Sequence, residues 1–597
     1  MTDATAVLYD AVDARRFLAE RPDAARILAL TPNARAPFLG SGIPILASSS
    51  VYRAYAHRRS LARVQRAKLL LMAAIRQAGL SPSVSETLRG IFEMVGAMTA
   101  RAYSTLGQGP WLFPTSSGWE EVVHRDAAHD ALLRRLALEP GWPPYRRAPA
   151  SFAVTLVNRL IALLLSRRTS FVFCNADKGF ADVIDDIAGR GSVIVAVNLH
   201  PALGTWRDLA RSCLGLWRAL VGGRIVPMTV SPDRTDERIV QTIENTLAAI
   251  QDPVLNRGIE VFSGSLVGGG VEAHSMQAPL VDLISRLKPL ALLTYSLRWR
   301  FEAALGEAAG RVGIQRWLVS HGSHPVPDGA TSAAALDGHA EGLLVSRLAD
   351  VAFPQSPQAA RAASRLMPAL PRCAVLPAVW GHTVAGCRET PVFRVLQAGT
   401  LKSWRDHRPW MYETSDEFVD GLVALAMAFQ ALGPGFQLMI RVREASECSL
   451  ATLRMLVPEG SNVSIKTDGD FLDDLAESDL LVSHSSTTIE EALTARRPVL
   501  LFGGGCPYRH LAAETVTPTL DSRAAVYAVD DAAALPHMIA AIKEAHRGRP
   551  LTNIELADFI WPETTGRLAD RIAAFIRSGD TQALTDPTVA IPGKQNG

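Results

Sequence analysis

The stretch Ser478–Gly505, SDLLVSHSSTTIEEALTARRPVLLFGGG, decides the fold of this chain. It begins with a short apolar run at 480–483, ends with a second run that Pro498 opens, and has a helical pattern between the two. Short apolar runs that alternate with helical segments are typical of parallel α/β units. We therefore predict a doubly wound α/β domain around this stretch.

The same alternation extends over most of the chain and divides into two series near 385–391. The predicted strands of the first sheet are 170–174, 193–197, 225–230, 290–295, 316–320, 351–353 and 374–376, and those of the second are 392–398, 436–442, 463–466, 480–483, 498–502 and 525–529. Two successive doubly wound sheets predict a cleft, and ligands bind such sheets beyond the carboxyl ends of their strands.

The predicted organisation has four parts. Helix-like apolar spacing at 61–78 and 87–100 indicates a helical N-terminal extension ahead of the two sheets. The last residues lack periodicity, which predicts a disordered tail. The parts are a helical N-terminal domain (1–150), a first Rossmann-like domain (151–385), a second Rossmann-like domain (386–578) and the tail (579–597).

The composition excludes several classes of protein. The formal charge of +2 over 597 residues provides no global field that would select nucleic acid, and the six cysteines stand singly, without metal-ligand spacing. We therefore expect no nucleic-acid partner, no zinc site and no disulfide framework. The N-terminus lacks the apolar core of a signal peptide and no run is long enough to span a bilayer, so we expect a cytoplasmic protein.

One local charge bias stands out from this neutral balance. Between Asp23 and Glu86 the chain has no acidic residue, whereas 53–76 holds seven basic ones. The segment could rest on an anionic membrane as a peripheral protein does, or on another polyanion. The alternative is an ordinary solvated helix face whose acidic neighbours the fold supplies.

The turn after the run 480–483 carries the strongest chemical signal. Ser485, Ser486 and Thr487 lie where hydroxyls and unpaired backbone N–H groups meet at a helix N-terminus, an arrangement that holds phosphate. Glu490 and Glu491 follow in the first helical turn, where one carboxylate can complete a capping box and the other can bind a ribose diol. The plainer alternative is a hydroxyl cap with an acidic first turn.

Histidines near predicted strand ends are candidates for a general base. The segment 288–322 reads as one βαβ unit that ends in His321-Gly322, and a neutral imidazole can take the proton of an attacking hydroxyl. His200, after the predicted strand 193–197, is the rival candidate. His324 lies close by with Asp328 as a possible orienting group, and a structural histidine is the alternative throughout.

These residues carry a resemblance. The run 479–502 resembles the donor-binding signature of GT-B glycosyltransferases, in particular enzymes of bacterial surface and capsular polysaccharide synthesis, including polyol-phosphate (glycerophosphate) transferases. We call residues 485–487 the hydroxyl turn. The resemblance implies that this turn binds the donor diphosphate and that Glu490 or Glu491 binds the ribose. It also implies that His321 with Gly322 lies on the acceptor side.

Two further segments resemble parts of these enzymes. Arg441 and Arg443 end a predicted strand where several of the families have a basic residue followed by His-Pro, so either arginine could neutralise phosphate. Gly399 and Thr400 fit a loop over which the donor phosphate or the acceptor would pass. The resemblance implies neither a metal nor a cofactor, since the nucleotide-activated donor is a substrate.

The sequence thus predicts a metal-independent glycosyltransferase that moves a sugar from a nucleotide donor to a surface polysaccharide or lipid-linked glycan. A CDP-polyol-dependent polyol-phosphate transferase is the nearest alternative, because it would use the same phosphate site. A nucleotide-sugar 2-epimerase also has a Glu-Glu pair there, but its Arg-Pro-Glu turn is missing from this chain. A non-catalytic glycan- or nucleotide-binding protein is the alternative from another class.

Overall fold

The computed structural model describes most of the chain. The described residues are 3–47, 54–138, 152–174, 180–190, 193–233, 236–320, 322, 326–327, 330–378, 391–399, 401, 404, 413–443, 445–503, 509–580 and 584, without the side chains of 54–58 and 331. Residues 385–390 of the predicted boundary segment and all but three residues of the predicted tail (579, 580 and 584) lie outside this set.

The N-terminal region contains a sheet that the sequence analysis did not predict. Its strands are β1 Thr5–Leu8, β2 Arg26–Ala29, β3 Ile45–Ala47, β4 Trp111–Thr115 and β5 Gly118–Val122, in the order β3-β2-β1-β4-β5. Only the β4–β5 pair is antiparallel. The expectation of an all-helical extension is therefore wrong. The apolar runs of these strands, such as TAVL and RILA, lie among Ala- and Arg-rich segments, so they do not stand out from the helical pattern.

Helices surround this sheet. They are α1 Ala11–Glu20, α2 Pro32–Arg35, α3 Ala54–Gln77, α4 Pro82–Thr105 and α5 Arg125–Ala137. Helices α3 and α4 contain the helical spacing seen in the sequence, and they pack against each other. In the basic segment, Arg63 pairs with Asp252 at 3.1 Å and Lys68 with Glu93 at 3.0 Å, so the fold does supply some acidic neighbours. Membrane attachment through 53–76 stays a prediction.

A six-stranded parallel sheet forms the first Rossmann-like domain. Its strands are β6 Ser170–Cys174, β7 Val195–Pro201, β8 Ile225–Val230, β9 Ala291–Thr294, β10 Gln315–Val319 and β11 Val351–Phe353, in the order β11-β10-β9-β6-β7-β8. Its helices are α6 Phe152–Leu165, α7 Ala181–Gly189, α8 Trp206–Leu220, α9 Glu237–Leu247, α10 Pro253–Val261, α11 Ser263–Ser275, α12 Gln277–Leu287, α13 Arg300–Arg311, α14 Ala330–Ala340 and α15 Pro357–Leu366. The predicted strand 374–376 does not form. Pro371 and Pro377 flank it, and proline cannot donate to a ladder.

A second six-stranded parallel sheet forms the other Rossmann-like domain. Its strands are β12 Phe393–Ala398, β13 Phe436–Arg441, β14 Val463–Lys466, β15 Leu480–Ser483, β16 Val499–Leu501 and β17 Val526–Ala528, in the order β14-β13-β12-β15-β16-β17. Its helices are α16 Ser415–Leu432, α17 Leu450–Leu456, α18 Phe471–Ala476, α19 Thr488–Thr494, α20 Leu535–His546, α21 Asn553–Leu556 and α22 Leu568–Ser578. The predicted architecture of two doubly wound domains is confirmed.

Helix α22 crosses back to the first Rossmann-like domain, although the predicted division placed it in the second. Phe575 of α22 packs edge-on against Trp317 of β10, with ring centroids 4.9 Å apart. Leu568 and Ile572 belong to the same buried cluster as Trp317. The last helix therefore ties the two Rossmann-like domains together.

The N-terminal region contacts both Rossmann-like domains. On one side the Tyr9 hydroxyl donates to Glu447 at 2.5 Å, and the indole N–H of Trp404 donates to the Leu30 carbonyl at 2.7 Å. On the other side Glu93 of α4 accepts from buried Arg298, which follows β9. The N-terminal region therefore connects the two Rossmann-like domains and forms a third part of the fold. None of the described helices is both long and apolar enough to cross a bilayer.

Candidate functional site

The carboxyl ends of two strands from different domains meet. Gly322 follows β10, and a Cβ built on it would lie 3.6 Å from Oε1 of Glu490 and 3.9 Å from Cγ2 of Thr487. Nearby, the Val326 N–H donates to the Arg509 carbonyl at 2.8 Å. The structure thus brings the predicted acceptor-side glycine against the predicted donor turn, at the edge where doubly wound sheets bind ligands.

The turn between β15 and α19 has the predicted order of strand, hydroxyls and helix. Strand β15 is fully buried, Ser485 is buried at its end, and Ser486 and Thr487 are half-buried. The Ser486 hydroxyl accepts the Thr488 N–H at 3.3 Å, which starts the helix. Thr487, the N-cap, makes no side-chain capping bond, so the capping box foreseen with Glu490 or Glu491 does not form. The carboxylates are not used to begin the helix.

His510 completes this site, and the sequence analysis missed it. Its Nε2 lies 3.0 Å from Oε1 of Glu490, and its Nδ1 lies 3.5 Å from Oγ of Ser485. The side chains of His510 and Glu490 are only 8% and 1% exposed. A hydroxyl, an imidazole and a carboxylate therefore form one buried chain. The available signal was the position of His510 in the segment after β16, at the same edge of the sheet.

Burial sets the protonation of two neighbours. Burial, together with the charges of Glu490 and Asp470, raises the pKa of Glu491 to about 7. Burial and the nearby His510 lower the pKa of His484 to about 3, so His484 is neutral at physiological pH. Glu491 is the more exposed of the two adjacent glutamates and is the group that changes charge near neutral pH.

The guanidinium of Arg441 is held by the loop that follows β14. It donates to the Asp474 carboxylate, to the Gly469 carbonyl and, at 3.2 Å each, to the carbonyls of Asp468 and Asp470. These contacts hold the loop after β14 and give Arg441 a structural role, and phosphate neutralisation by Arg441 stays a prediction. Arg443 lies exposed beyond the end of β13.

The remaining candidates lie elsewhere or outside the described residues. A Cβ on Gly399 would lie 2.9 Å from the Phe418 ring, so this glycine allows close packing. His200 lies near the end of β7, three strands from β10 in the sheet, or about 14 Å at ordinary strand spacing. It therefore does not join Gly322. His321, Thr400, His324 and Asp328 are outside the described residues.

The groups that form the site are hydroxyls, imidazoles and carboxylates. Within the described part of the chain, no group of three or more His, Cys, Asp or Glu side chains is arranged to hold a metal ion. The hydroxyls of 485–487 can donate to anionic oxygens, and a carboxylate can accept two hydrogen bonds from a diol. The arrangement is suited to a ligand that carries both phosphate and sugar.

Comparison with known proteins gives similarity of architecture only. No model of a known protein family and no curated protein sequence matches this chain. Among solved structures, one from Listeria monocytogenes assigned as a UDP-N-acetylglucosamine 2-epimerase is 13% identical, with 70% of this chain and 97% of that chain covered and a TM-score of 0.40. A UDP-GlcNAc 2-epimerase from Neisseria meningitidis has 12% identity, coverages of 65% and 98% and a TM-score of 0.35.

A third structure, MurG from Acinetobacter baumannii, has 12% identity, coverages of 65% and 97% and a TM-score of 0.33. Similarity at this level assigns neither an activity nor a ligand to this chain.

Proposed function

We propose that this protein is a glycosyltransferase that transfers a sugar from a nucleotide-sugar donor to a surface polysaccharide or lipid-linked glycan. The observation that carries the proposal is the contact of Gly322 with the turn that holds Thr487 and Glu490. Hydroxyls and carboxylates from one domain there face the carboxyl edge of the other domain. A donor and an acceptor can approach such a site from opposite domains.

The hydroxyl turn would hold the diphosphate. Ser485, Ser486 and Thr487 lie within three consecutive positions after β15, and their hydroxyls can donate to phosphate oxygens. Helix α19 has only seven residues, so these side chains matter more than its dipole. Glu491 would accept the ribose diol, since it is more accessible than Glu490, which faces His510.

His510 would stabilise the departing diphosphate. With Glu490 ionised, Nε2–H of His510 donates to the carboxylate and Nδ1 faces the Ser485 hydroxyl. Held by Glu490, His510 would keep Ser485 in position where charge develops on the leaving group, the part that the sequence analysis gave to Arg441.

The acceptor hydroxyl must lose a proton as it attacks the donor sugar, and His321 remains our candidate base. Its sequence neighbour Gly322 lies at the junction of the domains, whereas His200 is three strands away. We expect His321→Ala to lower kcat by about 10² to 10⁴-fold with donor affinity retained. His200→Ala is the matched control, and loss of turnover in that variant alone would reverse the assignment.

Ligand-induced thermal stabilisation tests the function. UDP, CDP and GDP, their sugar conjugates and CDP-glycerol are added singly, and we expect one nucleotide sugar to raise Tm by several degrees at saturation. Stabilisation by CDP-glycerol alone would instead indicate a polyol-phosphate transferase. If no compound shifts the Tm of the native protein, the proposal is wrong. The remaining alternative is then a non-catalytic binding protein that takes no nucleotide.

A further inference from the structure

Two neighbouring helices of the first Rossmann-like domain carry large apolar side chains on their outer surface. On α8, Trp206 is 77% exposed, Trp217 58% and Leu220 63%, and on α6, Phe152 is 81% and Leu163 71% exposed. The two helices pack against each other on one side of the sheet. We call these five residues the outer apolar face.

Helix α8 buries its polar and small residues and exposes its large apolar ones, which is the reverse of an ordinary surface helix. The residues that it buries are Asp208, Ser212, Gly215 and Ala219, which are polar or small. A Cβ on Gly215 would lie 2.0 Å from the Pro227 carbonyl oxygen, so the helix lies directly on β8 through its small residues. An amphipathic helix in a soluble domain normally turns its apolar side inward. The outward apolar side of α8 therefore serves something other than the core.

The charges on the two helices and on the residues next to them are mostly positive. Segments 152–168 and 201–223 contain six arginines and one acid. The acid, Asp208, is buried and caps α8 through the N–H groups of Leu203 and Thr205. The arginines are Arg159, Arg167, Arg168, Arg207, Arg211 and Arg218. Of these, Arg159 lies 3.9 Å from Asp282 of α12.

We propose that the outer apolar face binds an anionic lipid bilayer. Tryptophan and leucine side chains enter the interfacial region of a membrane, and the surrounding arginines reach the anionic headgroups. A second copy of this chain fits the face less well, because a two-fold contact would bring arginines against arginines. The proposal replaces α3 as the principal membrane contact and does not depend on the donor site.

The face also begins at the edge of the sheet that carries the candidate site. Strand β7 ends at Pro201, and α8 starts at Trp206, directly beyond it. Helix α6 runs toward the start of β6, so its first residue, Phe152, lies at the same edge. A bilayer on this face would therefore lie next to the entrance of the cleft.

Flotation of the full-length protein with lipid vesicles tests the proposal. Vesicles of phosphatidylcholine with phosphatidylglycerol are compared with pure phosphatidylcholine, in the absence of nucleotide. We expect the native protein to bind the anionic vesicles preferentially. In Trp206→Ser/Trp217→Ser the affinity for these vesicles should fall by at least about tenfold. Arg207→Gln/Arg211→Gln should weaken binding by about fivefold per arginine at low salt.

Two control variants locate the contact. Val516→Ser/Ile554→Ser removes exposed apolar side chains from the second Rossmann-like domain and should leave binding within about twofold. Arg66→Gln/Arg76→Gln removes exposed charges from α3 and should weaken binding less than the α8 arginine pair does.

Several results would overturn the proposal. They are no vesicle binding by the native protein, unchanged binding by the tryptophan variant, and loss of binding only in the α3 variant. A fourth is a dimer in light scattering without lipid that Trp206→Ser/Trp217→Ser converts to monomer, since the face would then bind a second copy.

Discussion

Two groups of titratable residues in this molecule both contain buried glutamates but differ in the charges that surround them. The helical cluster, between α3, α4 and the first Rossmann-like domain, has three cations and three carboxylates: Lys68, Glu86, Arg89, Glu93, Arg298 and Glu341. The site cluster at the domain junction has two carboxylates and one imidazole: Glu490, Glu491 and His510. The first is balanced by its own residues and the second is not.

The pKa of a glutamate in each cluster expresses this difference. Burial would raise the pKa of Glu93, but Lys68, Arg298 and Arg89 outweigh it and lower the value to about 2. At Glu491, burial and two acidic neighbours act in the same direction and raise the pKa to about 7. The charges of the helical cluster are thus compensated within the folded chain. The carboxylates of the site cluster are not, and hydrogen-bond donors of a bound ligand would stabilise them.

Removing one cation from the helical cluster should have the largest effect. Arg89 is 2% exposed and pairs with Glu86 at 2.5 Å and Glu93 at 3.4 Å. Arg89→Met leaves the buried carboxylate of Glu86 without its cation, so we expect the free energy of unfolding to fall by about 3 to 5 kcal/mol in urea titrations. Exposed Arg76→Met is the control. A loss below about 1 kcal/mol would show that the balance of this cluster does not matter for stability.

The same type of deletion in the site cluster should act on turnover. His510→Ala removes the group between Ser485 and Glu490, and we expect kcat to fall by about 10² to 10³-fold with KM for the donor little changed. His546→Ala is the matched control, because His546 is a buried histidine of the same domain that pairs with Tyr527 at 2.8 Å. Equal effects of both variants on kcat would mean that His510 is only structural.

The ribose contact should give a smaller effect. Glu491→Ala removes a carboxylate that would accept two hydrogen bonds, so donor affinity should fall by about 1.5 to 3 kcal/mol in calorimetric titration. Exposed Glu477→Ala in the same domain controls for net charge. Unchanged affinity in the Glu491 variant and reduced affinity in Glu490→Ala would exchange the roles of the two glutamates.

The smallest effect should be a pH-dependent gain of stability. The pKa of Glu491 rises from 4.5 to about 7 on folding, so the folded protein keeps a proton that the unfolded chain releases, and stability falls as pH rises through this window. Glu491→Gln cannot ionise. We expect a Tm near that of the native protein at about pH 4.5, and a gain of about 1 kcal/mol at about pH 8, reduced by solvent because the side chain is partly exposed. A gain that is independent of pH would contradict the raised pKa.

The sequence specified the two large sheets because their signal is local. Twelve of the thirteen predicted strands form, and the exception, 374–376, lies between prolines. A buried parallel strand needs a run of apolar residues wherever it lies, so its position can be read without knowing its partners. The hydroxyl turn with Glu490 and Glu491 was visible for the same reason, since all its members lie within a few residues.

Tertiary structure decided what depends on distant residues. His510 lies twenty-five positions from Ser485, Gly322 reaches Glu490 from the other domain, and α22 packs against β10. The outward apolar side of α8 is equally invisible in the sequence, because periodicity shows that a helix has two sides but not which side meets the sheet. Sequence alone thus determined most elements of the two Rossmann-like domains and one turn of the site, but not the N-terminal sheet. The fold determined their contacts, because pairing energies arise only between groups that the whole chain brings together.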